Sequence, residues 1–325
     1  MMKSSKKVFI LTEAILAVLV VIVSIAMLWG KNGEDRSRIS VIIQDSDSSR
    51  WAAFKYGLRM AAQDREMEVF FVSTGKTLSA EEEYEAIRKE VDNGADAVIV
   101  QPIPENNTEE LLKKIERRVP IMLVEYSAAR DGDTSGIAVV KPDNYELGKV
   151  LAEELLNDYN GKIKGKTVGI VSEHEDSSAI LDREKGLMSA LEEKGAELRW
   201  NVSDVLPEEE EYILEMKAKV DFVIALDDYS LVLAGKAASA NNLHGALVYG
   251  IGNSMEAVYC LDAGYIRCLV VPDDFNMGYQ SLTEAVESLE HFFRKPQSIT
   301  VSYTVMRRDT LFKKENQEIL FTMSQ

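Results

Sequence analysis

Carboxylate, hydroxyl, guanidinium and indole groups crowd into one short stretch of the chain, QDSDSSRW, from Gln44 to Trp51. Asp45, Asp47, Ser48 and Arg50 offer directional hydrogen bonds and Trp51 an apolar face, a set suited to holding a small polar molecule. A second stretch, SEHEDSS, sets His174 beside Glu173, Glu175 and Asp176 and suggests a metal site or an acid–base pair. It has no second histidine nearby and no i, i+4 ligand spacing, so a solvated acidic loop explains it as well; a hydrolase built on His174 is the weaker alternative. Gly250-Ile251-Gly252 lacks the third glycine of a dinucleotide fingerprint, and neither a G-x-S-x-G elbow nor a phosphate loop occurs. The chain is therefore read as a non-enzyme, with no catalytic residue, metal or cofactor.

The elements around Asp45 to Trp51 decide what those groups face. Ile39, Val41, Ile42 and Ile43 form a β-branched run typical of a strand covered on both faces, and Trp51, Phe54, Leu58 and Ala61 recur at helical spacing. The hydroxyl of Ser48 or Ser49 is placed to cap that helix. Ligands of open α/β sheets lie outside the carboxyl ends of the strands, so this loop is a binding edge. The same grammar then repeats. Strands are predicted at 69–72, 97–100, 121–124 and 137–140, with helices at 80–93 and 107–118 between them. A second set has helices at 145–158, 179–194, 208–219, 229–241 and 255–261 and strands at 167–171, 197–202, 222–226, 247–251 and 266–271. Single helices between strands imply parallel sheets with right-handed crossovers. Pro142 interrupts any continuing ladder and marks a first crossing between the sets. Pro272 marks a second, a helix at 275–293 returns to the first set, and one alternating strand at 299–306 holds a third crossing near Ser302.

A chain of 325 residues suits two domains behind a short N-terminal segment. The formal charge of −17 argues against a nucleic-acid partner, which needs a basic face. Cys260 and Cys268, across the turn Asp262-Ala263-Gly264, are either two small buried hydrophobes or a bonded pair. Lys3, Lys6 and Lys7 precede an apolar run over 8–29, long enough to span a bilayer with the N-terminus cytoplasmic and the remainder outside. A cleaved signal peptide ending near Ala26 is the competing reading. The expected plan is a cytoplasmic tail at 1–7, a single-pass anchor at 8–29 and a tether at 30–38. One lobe is then made of 39–141 with 273–302, and a second of 142–272 with 303–325.

From 39 to 308 the chain resembles the type I periplasmic binding proteins, the family of ribose- and galactose-binding proteins. The resemblance rests on NGADAVIVQP, VPIMLVEY, DNYELGK, DREKGL, VDFVIALDD, VYGIGN and VVPDDFNMG in register with the opening strand, loop and helix. It implies an α/β protein of two Rossmann-like lobes joined by a three-strand hinge, at Pro142, Pro272 and Ser302, that closes on a small ligand, usually a sugar. By position, Trp51 stands where a stacking aromatic is expected and Arg50 replaces a second one. Glu125 replaces an Asp, Tyr126 an Arg and Asp227 an Asn, while Arg183 keeps the family's arginine. Gly252 falls where an Asp is usual, with Asn253 beside it, and Pro272 falls where the family has Gln. With Asp45 and Ser48 these make the expected ligand set: Asp45, Ser48, Arg50, Trp51, Glu125, Tyr126, Arg183, Asp227 and Asn253. By spacing alone Trp51 is equally the first core residue of its helix, and Arg183 a helix-surface charge. The implied partners are a sugar, the membrane, and either the permease of an ABC importer or a sensor kinase for which the protein is a co-receptor.

Overall fold

The computed structural model describes residues 16, 18–21, 36–75, 79–103, 107–125, 136–174, 177–206, 208–210, 212–291 and 294–325. The chain divides into two units, Met1–Ser37 and Arg38–Gln325. In the first, Leu16 and residues 18–21 are helical and exposed. Among the described residues no helix is long and apolar enough to cross a membrane. The anchor expected at 8–29 falls mostly outside them.

The second unit is a two-lobed α/β fold. Its first sheet takes β1 (Arg38–Gln44), β2 (Glu68–Thr74), β3 (Ala97–Val100), β4 (Ile121–Val124) and β5 (Val139–Pro142), interleaved with α1 (Ala52–Asp64), α2 (Ala80–Asp92) and α3 (Thr108–Glu116). The chain then builds α4 (Asn144–Asp158), β6 (Thr167–Val171), α5 (Ser178–Glu192), β7 (Glu197–Val202) and β8 (Phe222–Ala225). It continues through α6 (Asp228–Ser239), β9 (Leu247–Ile251), α7 (Met255–Ala263) and β10 (Ile266–Pro272). Last come α8 (Asp274–Glu290), β11 (Ile299–Val301), β12 (Tyr303–Met306) and α9 (Lys314–Met323). The sheet orders are β11-β5-β4-β3-β1-β2 and β12-β10-β9-β8-β6-β7, parallel throughout except for β12 against β10.

Burial on both faces explains why the central strands read as unbroken apolar runs. Ile39, Val41 and Ile43 pack with α1 and α8, whereas Ile42 turns to the other face with Ile87 and Leu112. Cys260 packs on one face of the second sheet and Cys268 on the other, so the two thiols stay free and buried; the sheet between them removes the bonded alternative.

Three other local expectations change. The ladder includes Pro142, which pairs with Val301, and stops there, so the proline ends the strand from within rather than before it, because a last strand residue needs no further N–H donor. The alternating segment at 299–306 is two strands in different sheets, parted by Ser302 alone. The helix expected at 208–219 is, among its described residues, a series of turns such as Tyr212 N to Glu209 O at 3.1 Å and Lys217 N to Leu214 O at 3.2 Å. Four consecutive glutamates, Glu208 to Glu211, follow Pro207 there, and like charges on one helical turn oppose a regular helix. Conversely, α9 forms in a stretch read only as a tail, anchored by the buried Met323.

The backbone passes between the sheets after Pro142, after Pro272 and at Ser302. The last two passages are tied together: Asp273 N donates to Ser302 O at 3.0 Å, and Ser302 Oγ donates to Asp273 Oδ2 at 3.1 Å. Each lobe is backed by a helix pair in backbone contact. α1 meets α8 at Gly57 and Gly278, and α4 meets α5 at Gly148 and Gly186; a Cβ on any of the four would collide with a carbonyl of the facing helix. Gly278→Ala should therefore lower unfolding free energy by about 1–3 kcal/mol through overpacking. Gly75→Ala, whose Cβ would meet nothing within 4 Å, should stay within about 0.5 kcal/mol of the parent in the same urea titration.

Candidate functional site

Strand ends of both sheets deliver their loops to one small cavity of about 40 Å³. Arg50, Trp51 and Glu125 reach it from the first lobe, Arg183, Asp227 and Asn253 from the second. That is room for a few waters, far short of the roughly 300–1,000 Å³ of a ligand pocket. The lobes meet directly across it. Arg50 Nη1 lies 3.7 Å from Glu173 Oε2, Asn253 Nδ2 donates to the Arg50 carbonyl at 3.0 Å, and Ser49 Oγ donates to Glu256 Oε2 at 3.3 Å.

Trp51 is at once a wall of this cavity and a core residue. It is 2% exposed, its Nε1 donates to the Gln44 carbonyl at 3.0 Å, Phe54 packs at 5.2 Å, and the Arg50 guanidinium covers the ring at 4.6 Å. Glu125 follows β4 with φ of 54°, an unusual value for a residue with a side chain, and accepts from Gln101 Nε2 at 3.3 Å. Arg183 is 8% exposed; Nε donates to Asn144 Oδ1 at 2.9 Å and Nη1 to the Leu226 carbonyl at 2.8 Å, and among the described residues Nη2 has no hydrogen-bond partner. It is not a helix-surface charge. Burial pulls its pKa down, against the attraction of Glu125, Asp227 and Asp274.

Asp227 is committed to the backbone: Oδ1 caps α6 by accepting from Ser230 N at 2.9 Å, and Oδ2 accepts from Glu173 N at 2.7 Å. Burial pushes its carboxyl upward against those bonds. Asp45 and Ser48 are not at this cavity. Asp45 is exposed with φ of 47°, its N–H bound to the Thr74 carbonyl, and Ser48 supplies backbone rather than a hydroxyl cap. The chain enters α1 through a short 3-10 turn, Ser49–Trp51, which turns the Ser49 hydroxyl to the other lobe in place of the expected cap. Tyr126 lies outside the described residues. The His174 ring is exposed, with Nδ1 at 3.1 Å from Asp204. Among the described residues no group of three or more His, Cys, Asp or Glu is arranged to hold a metal.

Two acids were not anticipated, and both stand second in an Asp-Asp pair that ends a strand and opens a helix. Asp228 Oδ1 accepts from the backbone N–H of Asn253 and of Ser254, each at 2.8 Å, fixing the loop after β9. Asp274 is 3% exposed and accepts from Asn253 Nδ2. Burial first, then the neighbouring Glu125, push its pKa up to about 8. The visible signal was the doublet itself: the first Asp caps the helix and the second, on its first turn, is turned inward.

The model of the periplasmic binding protein domain matches residues 39–291. Galactofuranose-binding protein YtfQ of Escherichia coli (strain K12) is 24% identical over 155 residues, 46% of either chain, so the match spans under half the length of that relative. A carbohydrate transporter solute-binding protein from Agrobacterium radiobacter, solved with D-arabinose, shares 17% identity at a TM-score of 0.77, over 88% of this chain and 99% of that one. XylFII, solved in a complex with LytSN, shares 16% at 0.72, over 84% and 98%. Identities this low speak for a common fold.

Trp51→Ala should cost about 3–5 kcal/mol of folding free energy, as for a core aromatic, in unfolding curves taken without ligand. The raised pKa of Asp274 means that the folded state holds a proton the unfolded state has lost. Between the ordinary value of 3.8 and about 8, this group therefore lowers stability as pH rises. Asp274→Asn should remove that contribution, so its melting temperature should gain on the parent's between about pH 5 and about pH 8. A constant difference across that window would show that Asp274 does not titrate there.

Proposed function

Since the chain belongs to the periplasmic binding protein domain family, we propose that it is an extracytoplasmic, membrane-anchored solute-binding protein that closes on a sugar as the capture component of an ABC importer. The observation that carries this reading is Arg183. A guanidinium 8% exposed, whose Nη2 has no partner among the described residues, at a cavity that Glu125 enters from the other lobe, is with that carboxylate a donor and acceptor pair of the kind sugar hydroxyls engage. The relatives that bind galactofuranose and D-arabinose support the same class of ligand. At about 40 Å³ the cavity is too small for a sugar, so ligand entry requires the Arg50–Glu173 and Asn253–Arg50 contacts to part. The passages at Pro142, Pro272 and Ser302 act as the hinge for that opening. Arg50 then swings off Trp51 and frees the indole for stacking.

The alternative is a sensory co-receptor that passes occupancy to a membrane kinase. The XylFII–LytSN complex favours it, because there a protein of this fold is held by a second protein. In both readings the lysines before residue 8 and the apolar run over 8–29 tether the binding unit to the outer face of the membrane. Full-length protein should then stay with the membrane through carbonate washing, with its N-terminus intact; a soluble form beginning near Met27 would contradict the anchor.

The sugar reading is tested by thermal unfolding of the full-length chain against pentoses and hexoses in furanose and pyranose forms. A cognate sugar at 100 times its dissociation constant should stabilise by about 2.7 kcal/mol. Glu125→Gln should weaken that sugar by about 1.5–3 kcal/mol in calorimetry, through loss of a charged acceptor. If no sugar shifts the transition, the ligand is of another class. A sugar that binds Glu125→Gln unchanged sits elsewhere.

A further inference from the structure

A second and larger cavity, of about 500 Å³, lies where the chain leaves β10 for α8, between α1 and α9. Its volume is that of an ordinary small-molecule site. Tyr56, Phe275 and Phe321 form a continuous aromatic wall, with Tyr56 centred 5.7 Å from Phe275 and 5.8 Å from Phe321. Phe321 is 54% exposed although it stands at the rim of an apolar cavity. Among the described residues the charged groups of the lining are all acidic, Asp273, Asp274 and Glu318, with neither lysine nor arginine.

Asp274 is the informative member. It is 3% exposed; Oδ2 accepts from Asn253, and among the described residues Oδ1 has no hydrogen-bond donor. That oxygen is not among the sealed, unpartnered atoms of the structure, so it keeps accessible surface at the cavity and can take a donor from a ligand. Hydroxyl ligands would satisfy Oδ1 but gain little from an acidic lining that, among the described residues, holds no lysine or arginine. An ammonium group satisfies both, and aromatic faces attract it further. We propose that this cavity is a second ligand site, for a small organic cation whose ammonium group pairs with Asp274 while its apolar body rests on Tyr56, Phe275 and Phe321.

Asp274 faces Glu125 and Asp273, which favour its proton, and Asn253 and Arg183, which oppose it; burial adds to the former, and the balance lies at about pH 8. A bound ammonium favours the carboxylate, so binding expels a proton below that value and tightens as pH rises towards it. Both lobes contribute walls, α1 and α8 from the first, Val271 and α9 from the second, and an occupant therefore bears on the hinge.

The test is calorimetric titration of the full-length chain with phenethylammonium chloride and, in parallel, with uncharged phenethyl alcohol. The amine should bind saturably at about pH 8.5, at least about 10-fold tighter than the alcohol, and weaken severalfold by about pH 6. Asp274→Asn should erase the preference for the amine. Phe321→Ala, a change at an exposed ring that leaves the fold intact, should weaken the amine by about 5-fold or more. The proposal is overturned by absence of saturable binding up to about 10 mM amine, by equal binding of the alcohol, or by amine binding that both variants leave unchanged.

Discussion

Asn253 is gripped from three directions, and the arrangement of the lobes depends on that grip. Its N–H is held by Asp228, and its side-chain amide donates to the Arg50 carbonyl and to Asp274. One residue after β9 thus joins the second lobe to the entry of α1 and to the first turn of α8. The same side chain is a wall of the small cavity between the strand ends and of the larger one beside α9. Any motion that separates the lobes must break or re-route the Arg50 contact, and any ligand in either cavity meets this amide.

A chain with a net charge of −17 places four carboxyls, Glu125, Asp227, Asp228 and Asp274, around that point, with Arg183 as the buried countercharge of Glu125, Asp227 and Asp274. Helix geometry makes this tolerable. Asp227 and Asp228 open α6, and Asp273 and Asp274 open α8, so each pair sits where unsatisfied N–H groups and the positive end of the helix dipole converge. The acids that spend both oxygens on backbone N–H groups are structural, as Asp227 is. Asp274 does not; it keeps a raised pKa and, among the described residues, an Oδ1 without a hydrogen-bond donor, and that oxygen is open to a ligand.

Legibility in the sequence followed the range of the interaction. The strands β1, β3, β4 and β8 were evident as short apolar runs, because a parallel sheet covered on both faces demands them at every position. The two-lobed α/β plan followed from their alternation with helices. The caps Asp143, Asp227 and Asp273 lie within three residues of the N–H groups they accept from, yet none of them was anticipated from the sequence, and the cap that was, Ser48 or Ser49, does not form. By contrast, Asp45 and Ser48 belong to the same polar loop as Arg50, and only the path of that loop, turned at Asp45, sends Arg50 to the cavity and leaves the other two outside it.

Sequence alone determined most of the elements and their order, the helix expected at 208–219 and the unexpected α9 excepted, since periodicity is set by neighbours a few residues apart. Tertiary structure alone decided which side chains of those elements meet. The spacing of Trp51 fits a core residue and a cleft residue equally, and the packing of Phe54 beneath it and Arg50 above makes it both. Cys260 and Cys268 are eight positions apart in the chain, yet a sheet lies between them. The split of 299–306 at Ser302 needs two sheets already standing side by side. Contacts such as Asn253 to Arg50, more than 200 residues apart, leave no trace in local pattern, because what selects them is the close approach of two separately folded lobes.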